Sequence, residues 1–357
     1  MWRAAPPGDI TIDVDATLLN VHSDKGDAAS TYKRGYGFHP IGAWCDTTDE
    51  PLQAMLRPGN TGSNDTGDHL ELLDRALAVL PGDYRAGHEP GDDPRAVRHH
   101  IVLRADSAGA THGFVAALVE SDIEYSIGHP INASVREALL SFQEEDWCPA
   151  VETDGTIRDG VFVAELTGLM DLSSWGIDAR LIVRRERPHP GAQLSMFDMS
   201  EGWRHTAFIT NASALGVDPA VLELRHRGHA RAEDRARNWK DCGLANLPFA
   251  SFTQNLAWVA VSLIAGALLA WAQMTCLDGA LRKEGGCNFL QSYRLDRALS
   301  LQELTPGRPR RRSVGKKAPL SCVTATEIGC GFGFGLAPAA ASAPAGARPR
   351  RRAPRSG

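Results

Sequence analysis

The sequence predicts an α/β fold, and three observations carry that expectation. Residues 10–20 alternate as a strand with one apolar face. Residues 35–127 then run strand, strand, helix, strand, helix, strand. Residues 151–211 hold three further strand-like runs separated by turns, and a charged helical stretch follows at 219–244.

The first strand reads Ile-Thr-Ile-Asp-Val-Asp-Ala-Thr-Leu-Leu-Asn, with Ile10, Ile12, Val14, Ala16 and Leu18 on one side. Thr11, Asp13, Asp15 and Thr17 fall on the other. Two carboxylates side by side repel and raise each other's pKa. A hard, oxygen-ligated cation such as Mg²⁺ relieves that repulsion; a solvated strand edge is the plainer alternative.

Residues 21–34 are polar and Gly-bearing and read as a loop. Residues 35–46 and 51–56 read as two strands joined by a turn at Asp46-Thr47-Thr48-Asp49. Leu70, Leu73, Leu77 and Leu80 recur at helical spacing, so a helix is expected over 66–80, stopped by Pro81-Gly82. A charged loop over 83–98 leads to a buried strand at 100–105. That strand ends in Asp106-Ser107-Ala108-Gly109, and a helix at 110–120 and a strand at 123–127 complete the series. The runs at 161–166, 179–185 and 205–210 make 150–215 a β-rich insertion.

Residues 246–277 carry no charged side chain, and 256–272 are almost wholly apolar. That run is about 17 residues, short of the ~20 that span a bilayer, so a buried core helix is expected rather than a membrane span. The domain is expected to cover 1–284. The Arg- and Ala/Pro/Gly-rich remainder, 285–357, cannot build a core and reads as a basic disordered tail or a shifted reading frame.

The net charge of −5 divides unevenly along the 357 residues. Eleven of the 38 Lys and Arg but only one of the 43 acids follow residue 304, leaving 27 basic against 42 acidic residues before it. An acidic body counts against a simple nucleic-acid-binding reading. Seven cysteines without C-x-x-C spacing point to reduced thiols and a cytoplasmic protein. No apolar signal-peptide core opens the chain.

Three acidic positions stand out: Asp15 with its neighbour Asp13, Asp106 at a strand end where α/β sheets place chemistry, and Glu233. On a continuous helix His226, His229, Glu233, Arg237 and Lys240 share one line, a carboxylate within a basic stripe able to hold phosphates. A solvated face with a Glu233–Arg237 pair is the plainer reading of that stripe.

These residues resemble a family. Asp15-Ala-Thr, Arg104-Ala-Asp106-Ser and Glu233 with Lys240 seven residues on are similar to the DDE transposases of bacterial insertion sequences. The group related to the IS-four and IS-thirteen-eighty elements is the nearest. Thr31-Tyr-Lys-Arg-Gly-Tyr-Gly-Phe-His-Pro and Lys240-Asp-Cys-Gly-Leu-Ala-Asn-Leu-Pro resemble it too. The resemblance spans about 9–281. It implies a ribonuclease-H-like mixed sheet flanked by helices, with the β-rich insertion before the Glu-bearing helix. It implies two Mg²⁺ ions, or Mn²⁺ in their place, held by Asp15, Asp106 and Glu233. DNA contacts are expected from His226, His229, Arg237 and Lys240, with transposon ends and target DNA as partners of a homodimer at the nucleoid and no membrane.

Three departures accompany it. His226 and His229 stand where the group often has Tyr and Arg, no DNA-binding domain precedes Asp15, and the match fades beyond about Arg282. A truncated or decayed copy is therefore expected. A rival resemblance rests on Asp13-Val-Asp15-Ala-Thr17, similar to the D-x-D-x-T signature of haloacid-dehalogenase-like phosphatases. There Asp13 is the nucleophile and Asp15 the acid–base, with Gly91-Asp-Asp standing in for a later acidic pair.

Overall fold

The computed structural model describes residues 10–22, 24–80, 100–176, 178–212 and 217–276. The strand expected at the start forms as β1 (Ile10–Ala16). β2 (Leu19–Asn20), β3 (Ala29–Ser30) and β4 (Tyr36–Phe38) form a small separate sheet in the order β2-β4-β3. The stretch read as a polar loop thus contributes a short strand, and the run expected over 35–46 divides between two sheets.

β5 (Ile41–Cys45) and β6 (Pro51–Met55) follow, then α1 (Thr66–Val79) and β7 (Ile101–Ala105). α2 (His112–Glu120), β8 (Glu124–His129) and α3 (Ala133–Leu140) complete the first half. α1 starts where Asp65 caps it, the side chain accepting from Asp68 N. It buries Leu72, Leu73 and Ala76. The loop expected over 83–98 lies outside the described residues.

The main sheet runs β6-β5-β1-β7-β8-β12-β11-β10-β9. β1 is antiparallel to β5 and parallel to β7, and β7 is parallel to β8. Three antiparallel strands followed by two parallel to the first, with β1 central, is the ribonuclease-H-like arrangement. The β-rich segment consists of β9 (Cys148–Val151), β10 (Ile157–Glu165), β11 (Arg180–Glu186) and β12 (Arg204–Thr210), with the short helix α4 (Met196–Glu201) before the last. It extends the same sheet instead of packing on it: β12 pairs antiparallel with β8.

Helices cover both faces. Ile10, Ile12 and Val14 of β1 meet α1, α2 and α3 in one apolar core. On the other face α5 (Pro219–Arg227) covers the inserted strands, with Leu222 packed among Val161, Val163, Ile182 and Phe208. The stretch expected to be helical over 219–244 stays helical to Asp241 but tightens into a turn of 3₁₀ helix at Gly228–Ala230 between α5 and the next helix. α6 (Arg231–Asp241) then lies on β1 and β5, Trp239 against Trp44 with ring centroids 6.0 Å apart.

α7 (Phe252–Cys276) has 25 residues, long and apolar enough by length and composition to cross a membrane. Its inner face is tied to the domain by polar bonds: Trp239 Nε1 donates to Ser262 Oγ (2.8 Å) and Trp258 Nε1 to Gly243 O (2.8 Å). Asn255 bonds the backbone of Phe249 through both its amide atoms. Leu256, Val261, Ile264 and Leu268 remain exposed, so only one face is the core helix expected. The domain boundary at 284 and the basic tail lie outside the described residues.

Trp239 is the side chain that joins α6 to the sheet and to α7 at once. Trp239→Ala is expected to lower stability by about 3–5 kcal/mol, the usual cost of emptying a buried Trp site. Urea unfolding followed by far-UV circular dichroism measures it.

Candidate active site

β1 puts Asp13 and Asp15 on the face that α6 covers, and the two carboxylates meet opposite environments. Asp13 is fully buried and directly opposite Arg104 in the parallel register of β1 and β7. Arg104 Nε and Nη2 donate to its two oxygens at 2.8 Å each. Arg235 Nη1 of α6 donates to Oδ2 at 2.5 Å, and His229 Nδ1 donates to Oδ1 at 3.0 Å. Burial alone raises an acid's pKa, but the His229 and Arg104 bonds override it and hold Asp13 well below the usual carboxylate range. An ionised carboxylate only accepts, so the His229 proton sits on Nδ1.

The cluster continues outward. Arg235 Nη2 donates to Asp46 Oδ1 (2.6 Å), and its Nε donates to Asp49 Oδ1 (2.7 Å). Arg104 Nη1 donates to the Arg225 carbonyl (2.7 Å) at the end of α5. The 3₁₀ turn leaves room for this: a Cβ on Gly228 would stand 2.3 Å from Arg104 Nη1.

Asp15 lies two residues on and keeps no cationic clamp. Its Oδ1 accepts from Ala16 N at 2.8 Å. Burial pushes its carboxyl up to about 6; His229 works against this, while Asp106 and Glu233 push the same way as burial. Those three acids therefore share one electrostatic field. Asp106 follows β7, caps the turn Ser107–Gly109 by accepting from Ala108 N (2.9 Å), and is exposed. Its turn crosses close over β8, where a Cβ on Gly128 would meet Ser107 N at 2.8 Å.

Glu233 is exposed in the first turn of α6. With Asp15 it lines a cleft of about 470 Å³ that also takes in Tyr32, Lys33, Arg237 and Lys240. Asp106 is not part of that lining. Among the described residues no three His, Cys, Asp or Glu side chains form a ready metal cage. The donor chemistry nevertheless suits a hard divalent cation: carboxylates without cationic clamps, one of them raised by burial and by its acidic neighbours.

The basic stripe is corrected by the turn at Gly228. His226, expected to contact DNA, stacks on Phe208 (centroids 4.2 Å apart, planes 8° apart) with Nδ1 2.9 Å from Ser126 Oγ. Burial, with His229, Arg104 and Arg184 nearby, pushes it down to about 3, so it is a neutral packing residue. His229 is engaged with Asp13. Arg237 pairs with Asp234 (2.6 Å), not with Glu233. Lys240 is half-buried in the cleft; burial lowers its pKa, Asp15 raises it, and Lys33 and Arg237 lower it. The cluster of Asp13, Arg104, Arg235 and Asp46 escaped the sequence reading. Its signal was the matched spacing of Asp13-x-Asp15 and Arg104-x-Asp106, which aligns opposite charges on neighbouring strands.

A ribonuclease-H-like sheet with acids on the first strand, behind the fourth core strand and on a helix after inserted strands defines a DDE-type domain. The family model described as Transposase DDE domain group 1 matches residues 2–291, and the chain belongs to that family. Among solved structures it is similar to a piggyBac transposase in a synaptic complex with hairpin DNA, seen by cryo-EM. Identity is 8% and the TM-score 0.45, over 83% of this chain and 54% of that one, so the chain spans about half the length of that neighbour. A search of curated proteins finds no match.

The raised Asp15 has a measurable consequence. Between 3.8 and about 6 the folded protein keeps a proton that the unfolded chain has lost. This group's contribution is thus present below about pH 4 and lost as pH rises through about 6. Asp15→Asn is expected to match the unsubstituted protein near pH 4 and to exceed it in stability near pH 7. Thermal unfolding midpoints in EDTA at the two pH values check this.

Proposed function

We propose that the chain is the catalytic core of an insertion-sequence transposase of the IS-four and IS-thirteen-eighty related group. It cuts phosphodiester bonds at element ends and joins them to target DNA. The observation that carries this reading is the cleft that Asp15 and Glu233 line together with Lys33, Arg237 and Lys240, with the Asp15 carboxyl raised by burial and further by Asp106 and Glu233. Membership of a DDE transposase family supports it.

Asp15, Asp106 and Glu233 are the residues that would hold Mg²⁺, or Mn²⁺ in its place. When bound, two such ions activate the attacking oxygen and stabilise the leaving one. The chain's own contribution is placement. Lys240 and Arg237 hold backbone phosphate at the cleft, and the Lys240 ammonium, near Asp15, keeps the phosphodiester against the acids. End DNA and target DNA are the partners, and a dimer acting at the nucleoid is the assembly.

The phosphatase reading needs Asp13 to attack a phosphate. That carboxylate has no exposed surface, and both its oxygens are taken by Arg104, Arg235 and His229, which leaves no oxygen to attack with. The acidic pair that reading invoked near Gly91 lies outside the described residues.

Strand transfer on DNA taken from the flanks of the coding sequence, with Mg²⁺, tests the proposal. Glu233→Gln is expected to abolish cleavage and to lose the rise in unfolding midpoint that Mg²⁺ gives the unsubstituted protein. Unimpaired cleavage by the variant would defeat the assignment. Lys240→Ala is expected to weaken DNA binding across sequences and to lower the slope of log K against log salt by about 1. Fluorescence anisotropy over a salt series reads that slope.

A further inference from the structure

The small sheet β2-β4-β3 stands beside the acidic cleft, and its tip is built rigidly. Thr31 N donates to Gly35 O (2.8 Å), Arg34 N donates to Thr31 O (3.0 Å), and Gly35 N donates to Thr31 Oγ1 (3.0 Å). Thr31 itself is buried. The base of the loop is tied to the segment before α7, where Gly26 N donates to Ala250 O (2.7 Å) and Lys25 Nζ to Phe249 O (3.1 Å).

On this fixed tip Tyr32 is 69% exposed, the most exposed aromatic side chain among the described residues. The His39 ring lies tilted to it, with centroids 5.8 Å apart. Lys33 Nζ stands 5.7 Å from the ring centroid. Tyr32 and Lys33 both line the cleft that Asp15, Glu233 and Lys240 line. A largely exposed ring with Lys33 over it, in a cleft that Arg237 and Lys240 also line, has the composition of a nucleotide platform: a base stacks on the ring in place of the mobile Lys33 head group or on the opposite side, and the cations take the flanking phosphates.

Duplex DNA cannot use such a ring, because both faces of each base are already stacked on neighbours. A base can reach it only where the strand is unpaired or the nucleotide is turned out of the helix. We propose that Tyr32 and Lys33 form a stacking site for one unpaired nucleotide of the DNA strand entering the cleft. This rests on the reading of the cleft as a DNA site. It adds that the strand is bound there locally unpaired.

The test uses the full chain carrying Glu233→Gln, so that binding is read without cleavage. The probes are an oligothymidylate containing one 2-aminopurine and a duplex of the same length. Tyr32→Ala is expected to weaken single-strand binding about ten-fold, the order found for one lost base–aromatic stack, and to abolish the quenching of 2-aminopurine. Duplex affinity stays within two-fold, and Tyr32→Phe keeps both the affinity and the quenching. Equal losses for single strand and duplex, or an unchanged single-strand affinity in Tyr32→Ala, would overturn the platform while leaving the DNA reading in place. Failure of the parent chain to bind either probe would overturn both. The side chain is largely in solvent, so its removal leaves the fold intact, and a matched unfolding midpoint verifies that.

Discussion

A carboxylate without exposed surface sits where β1, β7 and α6 meet, and it is bonded from both strands' side of the sheet and from the helix. Asp13 accepts from Arg104, Arg235 and His229. Taking an ion out of water costs several kcal/mol, and only a full set of good hydrogen bonds offsets that. Here the set is full, so the charge is tolerated, and losing any one partner would leave the buried charges short of hydrogen bonds. The geometry is therefore stiff. Each main member is two residues from one of the acids assigned to the reaction: Asp13 from Asp15, Arg104 from Asp106, Arg235 from Glu233. Fixing the clamp fixes the backbone that carries all three.

The same arrangement explains how neighbouring aspartates on one strand take different roles. Asp13 is surrounded by cations and held ionised. Asp15 has no such clamp and is raised to about 6, first by burial and then by Asp106 and Glu233. A carboxylate already saturated by Arg makes a good structural pin and a poor ligand. One whose neighbours are other carboxylates gains most from an added cation. His229 lies between the two, donating to Asp13 and partly offsetting the acidic field at Asp15. The dividing line between structure and chemistry thus runs through two residues of β1.

Much of the fold was legible because its signals are local. Alternation in β1, the Leu spacing and Pro81-Gly82 stop of α1, and the apolar run of β7 each depend on a few neighbouring residues. The two acids at strand positions were legible for the same reason. What escaped depends on contacts distant in sequence. The residues around Gly228 keep a helix-like pattern, so one continuous helix was expected; the chain stays helical there but tightens into a 3₁₀ turn, beside which Arg104, over a hundred residues earlier, bonds the Arg225 carbonyl. That turn rotates His226 onto Phe208 and out of the stripe it was assigned to. The α7 run is apolar on nearly every side, and composition alone could not tell that Asn255, Ser262 and Trp258 would tie down just one face.

The inserted strands have a mechanical role in this scheme. A parallel core ending at β8 leaves an open edge, and β12 closes onto it while β11, β10 and β9 carry the sheet outward. α5 lies across those strands, held by the Arg184–Glu223 pair (3.0 Å) and by Leu222 in the apolar layer beneath. The chain must then travel back over the sheet to reach β1, and α5 with the Gly228 turn makes that return. The direction in which α6 leaves the turn decides where Glu233 stands relative to Asp15. The insertion, far from being an appendage, supplies the platform from which the helix bearing the third acid is aimed. Its ion pair and apolar layer belong to the same chain of constraints as the buried Asp13.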